Sequence, residues 1–242
     1  VDAIQCPFGC QSQSPEVWFQ IQENFRKELC IVINKKAFRT GLEETGIPNP
    51  SSETMSNINI SSELREQVRQ AREAYLQLAN LGTESKNQVL HAFAKALRAN
   101  TSKILEANAL DVVEAEKMVQ SGELSESACK RVMLNEAKIE LMAQNCESVA
   151  KLEDPVGQVL QATRLDEGLD LYRVSCPIGV VLVIFESRPD VVVQISALAV
   201  KSGNAVILKG GREAVHSNRV LAEILRQTAD DFEEMPINAL SL

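Results

Sequence analysis

Two polar turns, each directly after an apolar run, hold the residues of this chain whose types and spacing could do chemistry. Residues 186–190 read ESRPD after the run 180–185, and residues 209–213 read KGGRE after the run 205–208. Both runs are apolar and rich in β-branched residues, which is typical of buried parallel strands. Because ligands bind outside the carboxyl ends of such strands, we expect both turns to line one binding site. The candidate residues are Glu186, Ser187, Arg188 and Pro189 in the first turn and Lys209, Gly210, Gly211, Arg212 and Glu213 in the second.

The first turn has two interpretations. Pro189 presets the backbone for a helix start, and Ser187 and Asp190 are natural helix caps. Arg188 above the helix N-terminus would then form an anion site from its guanidinium group and the free backbone amides. The alternative is a capped helix with a surface arginine, and this turn alone does not decide between the two.

The second turn has the features of a nucleotide site. The paired glycines would let a ligand approach the backbone, and Lys209 at a strand end can reach ribose hydroxyls or a phosphate. Arg212 could favour a 2′-phosphate, and therefore NADP over NAD. The chain has no G-x-G-x-x-G sequence, so a standard Rossmann dinucleotide site is not predicted.

No catalytic nucleophile is predicted in this chain, because a Cys–His or Ser–His–Asp constellation cannot be assembled from it. We interpret Cys129 and Cys146, which fall in helical stretches, as buried structural thiols. Cys6 and Cys10 have the spacing of a metal-ligand pair, but no histidine or second pair accompanies them, so no metal site is predicted. The remaining cysteines are Cys30 and Cys176, and the two histidines are His91 and His216.

Helical periodicity dominates the segment that precedes these turns. Apolar residues recur every three or four positions as Leu64, Val68, Ala71, Tyr75 and Leu78, and they predict an amphipathic helix. We interpret the charged residues of this helical region as solvent-exposed faces. The helices are predicted from Ser61 to Gly82 with a serine cap, from Thr83 as a capping residue, and over Thr101–Gln120, Ser125–Lys130 and Asn135–Leu152.

Strands follow the helical region. The runs Gln158–Leu165 and Leu169–Ser175, separated by a turn that ends in Gly168, predict a β-hairpin. A protruding hairpin of this kind is more often an oligomer contact or a lid than a catalytic element. A βαβ unit is predicted next. It consists of the strand Val180–Phe185, covered on both faces, the helix Asp190–Ser202, ended by Gly203, and the strand Ala205–Leu208. Another helix and a further strand from Pro236 are predicted to follow this unit.

Composition narrows the functional class. The net charge is −8, the pI is near 5.0 and no basic stripe is present, so nucleic acid is not an expected partner. No apolar run is long enough to span a bilayer, and residues 1–13 lack the regions of a signal peptide. Six scattered cysteines in a chain that can build its own core indicate reduced thiols and a cytoplasmic protein.

Several longer segments resemble one known family. They read KNQVLHAFAKAL, ILEANALDV, DPVGQV, PIGVVLVIFESRPDVVVQISALAVKSGNAVILKGG and EAVHSN. From about Ser62 to Leu242 the chain resembles the N-terminal part of the gamma-glutamyl phosphate reductases, also called glutamate-5-semialdehyde dehydrogenases, within the aldehyde dehydrogenase superfamily. The ESRP turn followed by SGNAVILKGG and HSN is specific to this family.

The resemblance implies an α/β, aldehyde dehydrogenase-like fold with a helical N-terminal region, an incomplete parallel Rossmann-like sheet and an oligomerisation β-hairpin over 154–176. It implies NADPH-dependent reduction of L-glutamyl 5-phosphate to L-glutamate 5-semialdehyde with release of phosphate, in proline biosynthesis. It also implies a homo-oligomer that works with glutamate 5-kinase. Lys209 falls where the superfamily holds the adenosine ribose, and Glu186–Pro189 falls on the turn that lines the cofactor and reaction cleft.

The chain also departs from this family. Residues 1–54 match nothing in it and are predicted to be an unassigned tail or an extension, and residues 55–242 are predicted to be a partial NADPH-binding domain. The family's nucleophilic cysteine is expected beyond Leu242, in a catalytic domain that this sequence lacks, so the chain is expected to be inactive alone. The alternative function is a non-catalytic nucleotide-binding or oligomerisation module derived from the same fold.

Overall fold

The computed structural model of the chain describes residues 30–32 and 61–242, and these residues, Cys30 apart, belong to one compact unit, Ile31–Leu242. Its first part is helical, as the periodicity predicts. None of the helices described is long and apolar enough to cross a membrane. The helices are α1 (Ser62–Leu78), α2 (Thr83–Ala99), α3 (Thr101–Gln120), α4 (Glu126–Val132) and α5 (Glu136–Ala150).

Side-chain caps begin three of these helices. The Ser61 hydroxyl accepts a hydrogen bond from the Leu64 amide (3.2 Å), and Ser125 and Asn135 cap α4 and α5 in the same way. The prediction that Thr83 caps α2 is wrong. Gly82 holds the cap position, and the Thr83 hydroxyl instead donates to Oδ2 of Asp154 (2.9 Å) because that carboxylate lies beside it.

The apolar stripe of α1 is buried in its second half only. Ala71 and Leu78 are buried, and Ala71 packs in a cluster with Ala205 and Ile207 of the sheet. Leu64 and Val68, which the periodicity places on the same face, are each 46% exposed. Helix α1 therefore contacts the sheet through its second half.

Strands β2 (Val159–Asp166) and β3 (Leu169–Val174) form the predicted antiparallel hairpin. Gly168 in the turn has φ +75°, a conformation that glycine adopts without strain. Every residue of both strands is exposed. The hairpin therefore contributes nothing to the core of the unit.

The predicted βαβ unit is confirmed. It consists of β4 (Val180–Ile184), α6 (Asp190–Lys201) and β5 (Ala205–Lys209), with β4 and β5 parallel. Helix α7 (Val215–Asp230) leads to the short β6 (Leu240–Ser241), which is parallel to β5. A short strand β1 (Cys30–Val32) completes the sheet order β1-β4-β5-β6.

The prediction that β4 is covered on both faces is wrong. Val183 is buried, but Leu182 and Ile184 are exposed. Helices α1 and α6 both lie against β5, whose residues 205–208 are all buried, and they cover β4 less completely. The central strand of the βαβ core is therefore β5.

A buried ion pair joins the hairpin's base to the helices. Nζ of Lys86 on α2 lies 2.9 Å from Oδ2 and 3.2 Å from Oδ1 of Asp154. Nearby, Nζ of Lys201 donates to the carbonyl oxygen of Ala150 (3.0 Å) and to Oδ1 of Asn87 (2.7 Å), and burial lowers its pKa. The interpretation of every helical charge as solvent-exposed is thus wrong for Lys86, since its long apolar stem and paired ammonium allow it to be buried.

Candidate functional site

The two polar turns lie side by side, as predicted from the parallel strands. Ile184 pairs with Lys209 at the carboxyl ends of β4 and β5, and the amide of Phe185 donates to the carbonyl oxygen of Lys209 (3.0 Å). From these positions the chain enters the ESRP turn on one side and the KGGRE turn on the other. The two turns therefore lie side by side because the strands before them pair in this register, whatever the conformation of the turns themselves.

A buried carboxylate connects the two turns. Both the backbone N–H and the hydroxyl of Ser187 donate to Oε1 of Glu213, the hydroxyl at 3.3 Å. Ser187 is 3% exposed and Glu213 is 6% exposed. Ser187 therefore does not cap α6 as predicted. Pro189 holds the cap position of that helix with φ −59° and ψ −29°.

The two glycines of the second turn make room for side chains of the protein itself. A Cβ atom at Gly211 would lie 2.2 Å from Oε2 of Glu213, and one at Gly210 would lie 2.2 Å from Nδ2 of Asn218. Asn218 is buried, and its Oδ1 has no hydrogen-bond partner among the residues that the structure describes. A larger residue at either position would therefore require the Glu213 or the Asn218 side chain to move, and approach of a ligand to the glycines stays a prediction.

Three charged residues at this edge are open to solvent. Glu186, Lys209 and Arg212 are all exposed. Nζ of Lys209 donates to the carbonyl oxygen of Gly210 (2.8 Å), a bond at the surface that a ligand can replace. These side chains are the ones at the shared edge that are available to a dissolved ligand.

The N-terminus of α7 is closed to a phosphate group. The carboxylate of Asp111 on α3 accepts hydrogen bonds from the amides of His216 (2.9 Å) and Ser217 (2.6 Å). These are the first-turn amides that bind pyrophosphate in a standard dinucleotide fold. An internal anion already occupies them, in agreement with the lack of a G-x-G-x-x-G sequence.

Sequence reasoning missed Asp111 and its neighbour Asn108. Asn108 donates to Oγ of Ser217 (3.0 Å) and accepts from the amide of Leu134 (2.7 Å). A signal was present, because Ile104, Asn108, Asp111 and Ala115 follow helical spacing and share the buried face of α3. Polar residues on an apolar stripe indicate buried partners.

Arg188 faces a cavity of about 280 Å³. Its Nη2 donates to Oδ2 of Asp190 (3.1 Å), and Gln194 donates to the same oxygen (2.9 Å). These three residues form one wall of the cavity. The other wall comes from the α4–α5 region and includes Arg131, Leu134, Lys138, Met142 and Asn145.

The cavity therefore combines three cationic side chains with one carboxylate and an apolar surface. Such a lining suits a small anionic molecule that also carries a positive group. Anion binding at Arg188 stays a prediction, and the structure places this residue at a cavity between helices rather than at a bare helix N-terminus.

Two of the three cysteines whose side chains the structure describes are buried. Cys129 and Cys146 are buried, as predicted, and burial together with nearby Glu147 raises the pKa of Cys146 to about 12. Cys176 is exposed. Within the described residues no three His, Cys, Asp or Glu side chains group as metal ligands, and Cys6 and Cys10 lie outside those residues.

Residues 53–241 match the sequence profile of the aldehyde dehydrogenase family, and the chain belongs to that family. It is similar to the gamma-glutamyl phosphate reductase of Methanococcoides burtonii, with 45% identity over 76% of this chain and 41% of the relative. The reductase of the same name from Haloquadratum walsbyi is 53% identical over 64% of this chain and 34% of the relative.

Solved structures agree with this assignment. The crystal structure of gamma-glutamyl phosphate reductase from Saccharomyces cerevisiae superposes with a TM-score of 0.71 at 41% identity, over 76% of this chain and 46% of that one. The Thermotoga maritima enzyme gives a TM-score of 0.68 at 38% identity, over 74% of this chain and 42% of that one. The predicted aldehyde dehydrogenase-like α/β fold is thereby confirmed. The chain spans about two fifths of the length of the curated relatives it matches.

Proposed function

We propose that this chain forms the cofactor-binding part of an NADPH-dependent reductase that converts L-glutamyl 5-phosphate to L-glutamate 5-semialdehyde and phosphate, in proline biosynthesis. The observation that carries the proposal is the shared strand edge, where exposed Lys209 and Arg212 lie beside the ESRP turn. Relatives at 42–53% identity carry the name gamma-glutamyl phosphate reductase. Supply of the labile acyl phosphate by glutamate 5-kinase in the cytoplasm belongs to the same proposal.

The residues present fit an NADP cofactor whose adenosine end lies at the second turn. Lys209 provides a mobile ammonium for ribose hydroxyls, and Arg212 provides a guanidinium for the 2′-phosphate. Because Asp111 occupies the amides at the start of α7, the pyrophosphate must lie outside that helix end. When bound, NADPH supplies the hydride for reduction.

The cavity beside Arg188 fits the amino-acid part of the substrate. Arg188 and Arg131 can pair with its α-carboxylate, and Asp190 can pair with its ammonium group. The apolar surface of Met142 and Leu134 can cover its methylene groups. In this proposal the described residues bind and orient cofactor and substrate, and they do not supply the thiol that attacks the acyl phosphate.

A homo-oligomer assembled through the hairpin is also part of the proposal. Exposed apolar side chains on β2 and β3 include Leu160, Leu165, Leu171 and Tyr172. A two-stranded hairpin with no covered face is only marginally stable in water, and exposed apolar side chains on its faces favour contact with another surface. A second copy that covers this surface would stabilise both hairpins.

Titration of NADPH against the purified chain tests the cofactor proposal. Lys209→Ala removes one charged hydrogen bond and should weaken binding by about tenfold to a hundredfold. Arg212→Ala should weaken NADPH but leave NADH unchanged, because only NADPH carries the 2′-phosphate. Lys95→Ala, an exposed lysine on α2, is the control and should have no effect. Equal affinity of the Lys209 variant and the wild type would refute the proposed ribose contact.

The same preparation tests whether this chain binds the cofactor without catalysing the reaction. We expect the isolated chain to bind NADPH but not to oxidise it when L-glutamyl 5-phosphate is added. Thiol-dependent turnover by this chain alone would contradict the assignment of a binding role. Failure to bind NADPH at all would favour the oligomerisation module.

A further inference from the structure

The bond between Ser187 and Glu213 carries an inference beyond cofactor contact. We propose that Glu213 is a positioning residue that holds the ESRP turn in a left-handed conformation and thereby places Arg188 at the cavity. The predicted role of Glu213 as a cofactor ligand is then replaced by one exerted through Ser187. The expected effect on substrate binding rests on the proposed function, whereas the expected effect on the conformation of Ser187 does not.

The backbone of Ser187 requires such a support. Its φ is +54°, in the left-handed region that non-glycine residues rarely adopt. That conformation is unfavourable for a residue with a Cβ, because the Cβ comes too close to the following carbonyl oxygen. Two hydrogen bonds from Ser187 to one carboxylate oxygen of Glu213 offset that cost.

Glu213 depends on Ser187 in return. Among residues 61–242, no lysine, arginine or histidine forms an ion pair with Glu213. A buried carboxylate without a cation must be satisfied by hydrogen-bond donors. Gly211 admits the carboxylate to this position, since any Cβ there would collide with both of its oxygens. The KGGRE turn is therefore built around the Glu213 carboxylate.

The position of Arg188 follows from that of Ser187. Arg188 is the next residue, and its guanidinium reaches Asp190 at the start of α6 and the cavity beyond it. A rotation of Ser187 out of the left-handed region redirects the chain immediately before Arg188. Glu213 thus connects the proposed cofactor edge to the proposed substrate cavity.

NMR measurements on the full chain test this inference. The Ser187 amide is followed by hydrogen exchange and by its intraresidue HN–Hα NOE, which is strong at positive φ because the two protons lie closer there than at negative φ. Glu213→Ala should accelerate exchange of this amide by about tenfold or more and weaken the NOE. Glu213→Gln keeps an oxygen acceptor and should retain the wild-type NOE. Ser187→Gly in the Glu213→Ala background should restore the turn, because glycine adopts positive φ without strain.

Controls distinguish positioning from general stability. Glu223→Ala removes an exposed carboxylate of α7 and should leave the Ser187 amide unchanged. The Val183 amide of β4 is the internal reference. If Glu213→Ala does not fold, Glu213→Asp keeps the charge but is too short, and it should accelerate exchange at Ser187 alone. Equal acceleration at Ser187 and Val183, or an unchanged Ser187 HN–Hα NOE in Glu213→Ala, would overturn the inference.

L-Glutamate serves as the probe for the cavity. Its affinity should fall at least about threefold in Glu213→Ala, remain near the wild-type value in Glu213→Gln and recover with Ser187→Gly. Wild-type chain that does not bind L-glutamate would refute the proposed substrate site, while the NMR result at Ser187 would still decide the role of Glu213.

Discussion

Lys86 is 1% exposed, and both oxygens of Asp154 lie within hydrogen-bond distance of its ammonium group. Helical spacing places Lys86 on the same face as Leu90 and Phe93, but it does not identify the partner that allows a lysine to be buried there. Its partner is 68 residues away in the sequence, at the base of the hairpin. Long-range partners of this kind are set by tertiary packing. The Ser187–Glu213 bond, over 26 residues, escaped prediction for the same reason.

Removing the charge of Asp154 should be strongly destabilising. Asp154→Asn leaves the buried Lys86 ammonium without a counter-ion, and we expect the free energy of unfolding to fall by about 3 kcal/mol. Lys86→Met combined with Asp154→Asn should recover much of that loss, because no buried charge is then left unpaired. Urea denaturation of both variants measures the difference.

An exposed pair provides the matched control. Glu140→Gln breaks the surface pair with Arg98 and should cost at most about 1 kcal/mol.

Partial burial opposes ionisation of Asp154, but hydrogen bonds from Lys86, Val156 and Thr83 hold its pKa below the usual 3.8. Its contribution is therefore complete above pH 3.8 and is lost as the pH falls through the lower folded-state pKa. An Asp154→Asn variant as stable as wild type at neutral pH would contradict this account.

At the scale of elements, local sequence patterns predicted most of the structure. Helix α3 occupies Thr101–Gln120 as predicted, and the hairpin and the βαβ unit follow their turn residues. Cap residues and burial were predicted less well, as Thr83 and Leu182 illustrate. Periodicity predicts which face of a helix or strand a residue lies on. Whether that face is buried depends on a packing partner from another part of the chain.

Helix α7 should depend on the Asp111 carboxylate for its first turn. Asp111→Ala removes the acceptor of two amides, one of them buried, and should lower the free energy of unfolding by about 2 kcal/mol or more. Hydrogen exchange at Ser217 should accelerate more than exchange in the middle of the helix. Thermal denaturation and amide exchange check both effects.

Glu114→Gln is the control for this prediction, since Glu114 lies on the same helix α3 but pairs only at the surface with Lys117. It should change stability by less than about 0.5 kcal/mol. Asp111→Asn keeps one acceptor and should fall between the two. Equal stability of Asp111→Ala and Glu114→Gln would show that the first turn of α7 does not need this cap.

At the scale of the whole molecule, the meeting of the two turns was predictable because parallel neighbouring strands share a carboxyl edge. The cavity was not predictable in the same way. Its walls come from α6 and from the α4–α5 region, which are distant in the sequence and have no common motif. The order of strands and helices along the chain is enough to predict which turns share an edge of the sheet. A cavity depends instead on how helices that are distant in the sequence pack together.

Self-association through the hairpin is a property of the whole molecule that can be measured directly. The pairs Ala162↔Tyr172 and Thr163↔Leu171 are adjacent in the ladder, so Tyr172 and Leu171 lie on opposite faces. Tyr172→Lys and Leu171→Lys each place a charge on one face. If one of these faces forms the contact between copies, the variant with the charge on that face should sediment more as a monomer than the wild type does.

Stability provides the second readout for the hairpin. Both side chains are exposed in the single chain, so neither substitution should lower the melting temperature of the remaining fold. Ile237→Lys changes an exposed apolar residue outside the hairpin. It should leave both the sedimenting mass of the assembly and the melting temperature unchanged. If all three variants sediment like the wild type, the hairpin is not a contact between copies. If only the hairpin variants dissociate, with unchanged thermal unfolding of the monomer, the apolar strands act in assembly rather than in folding.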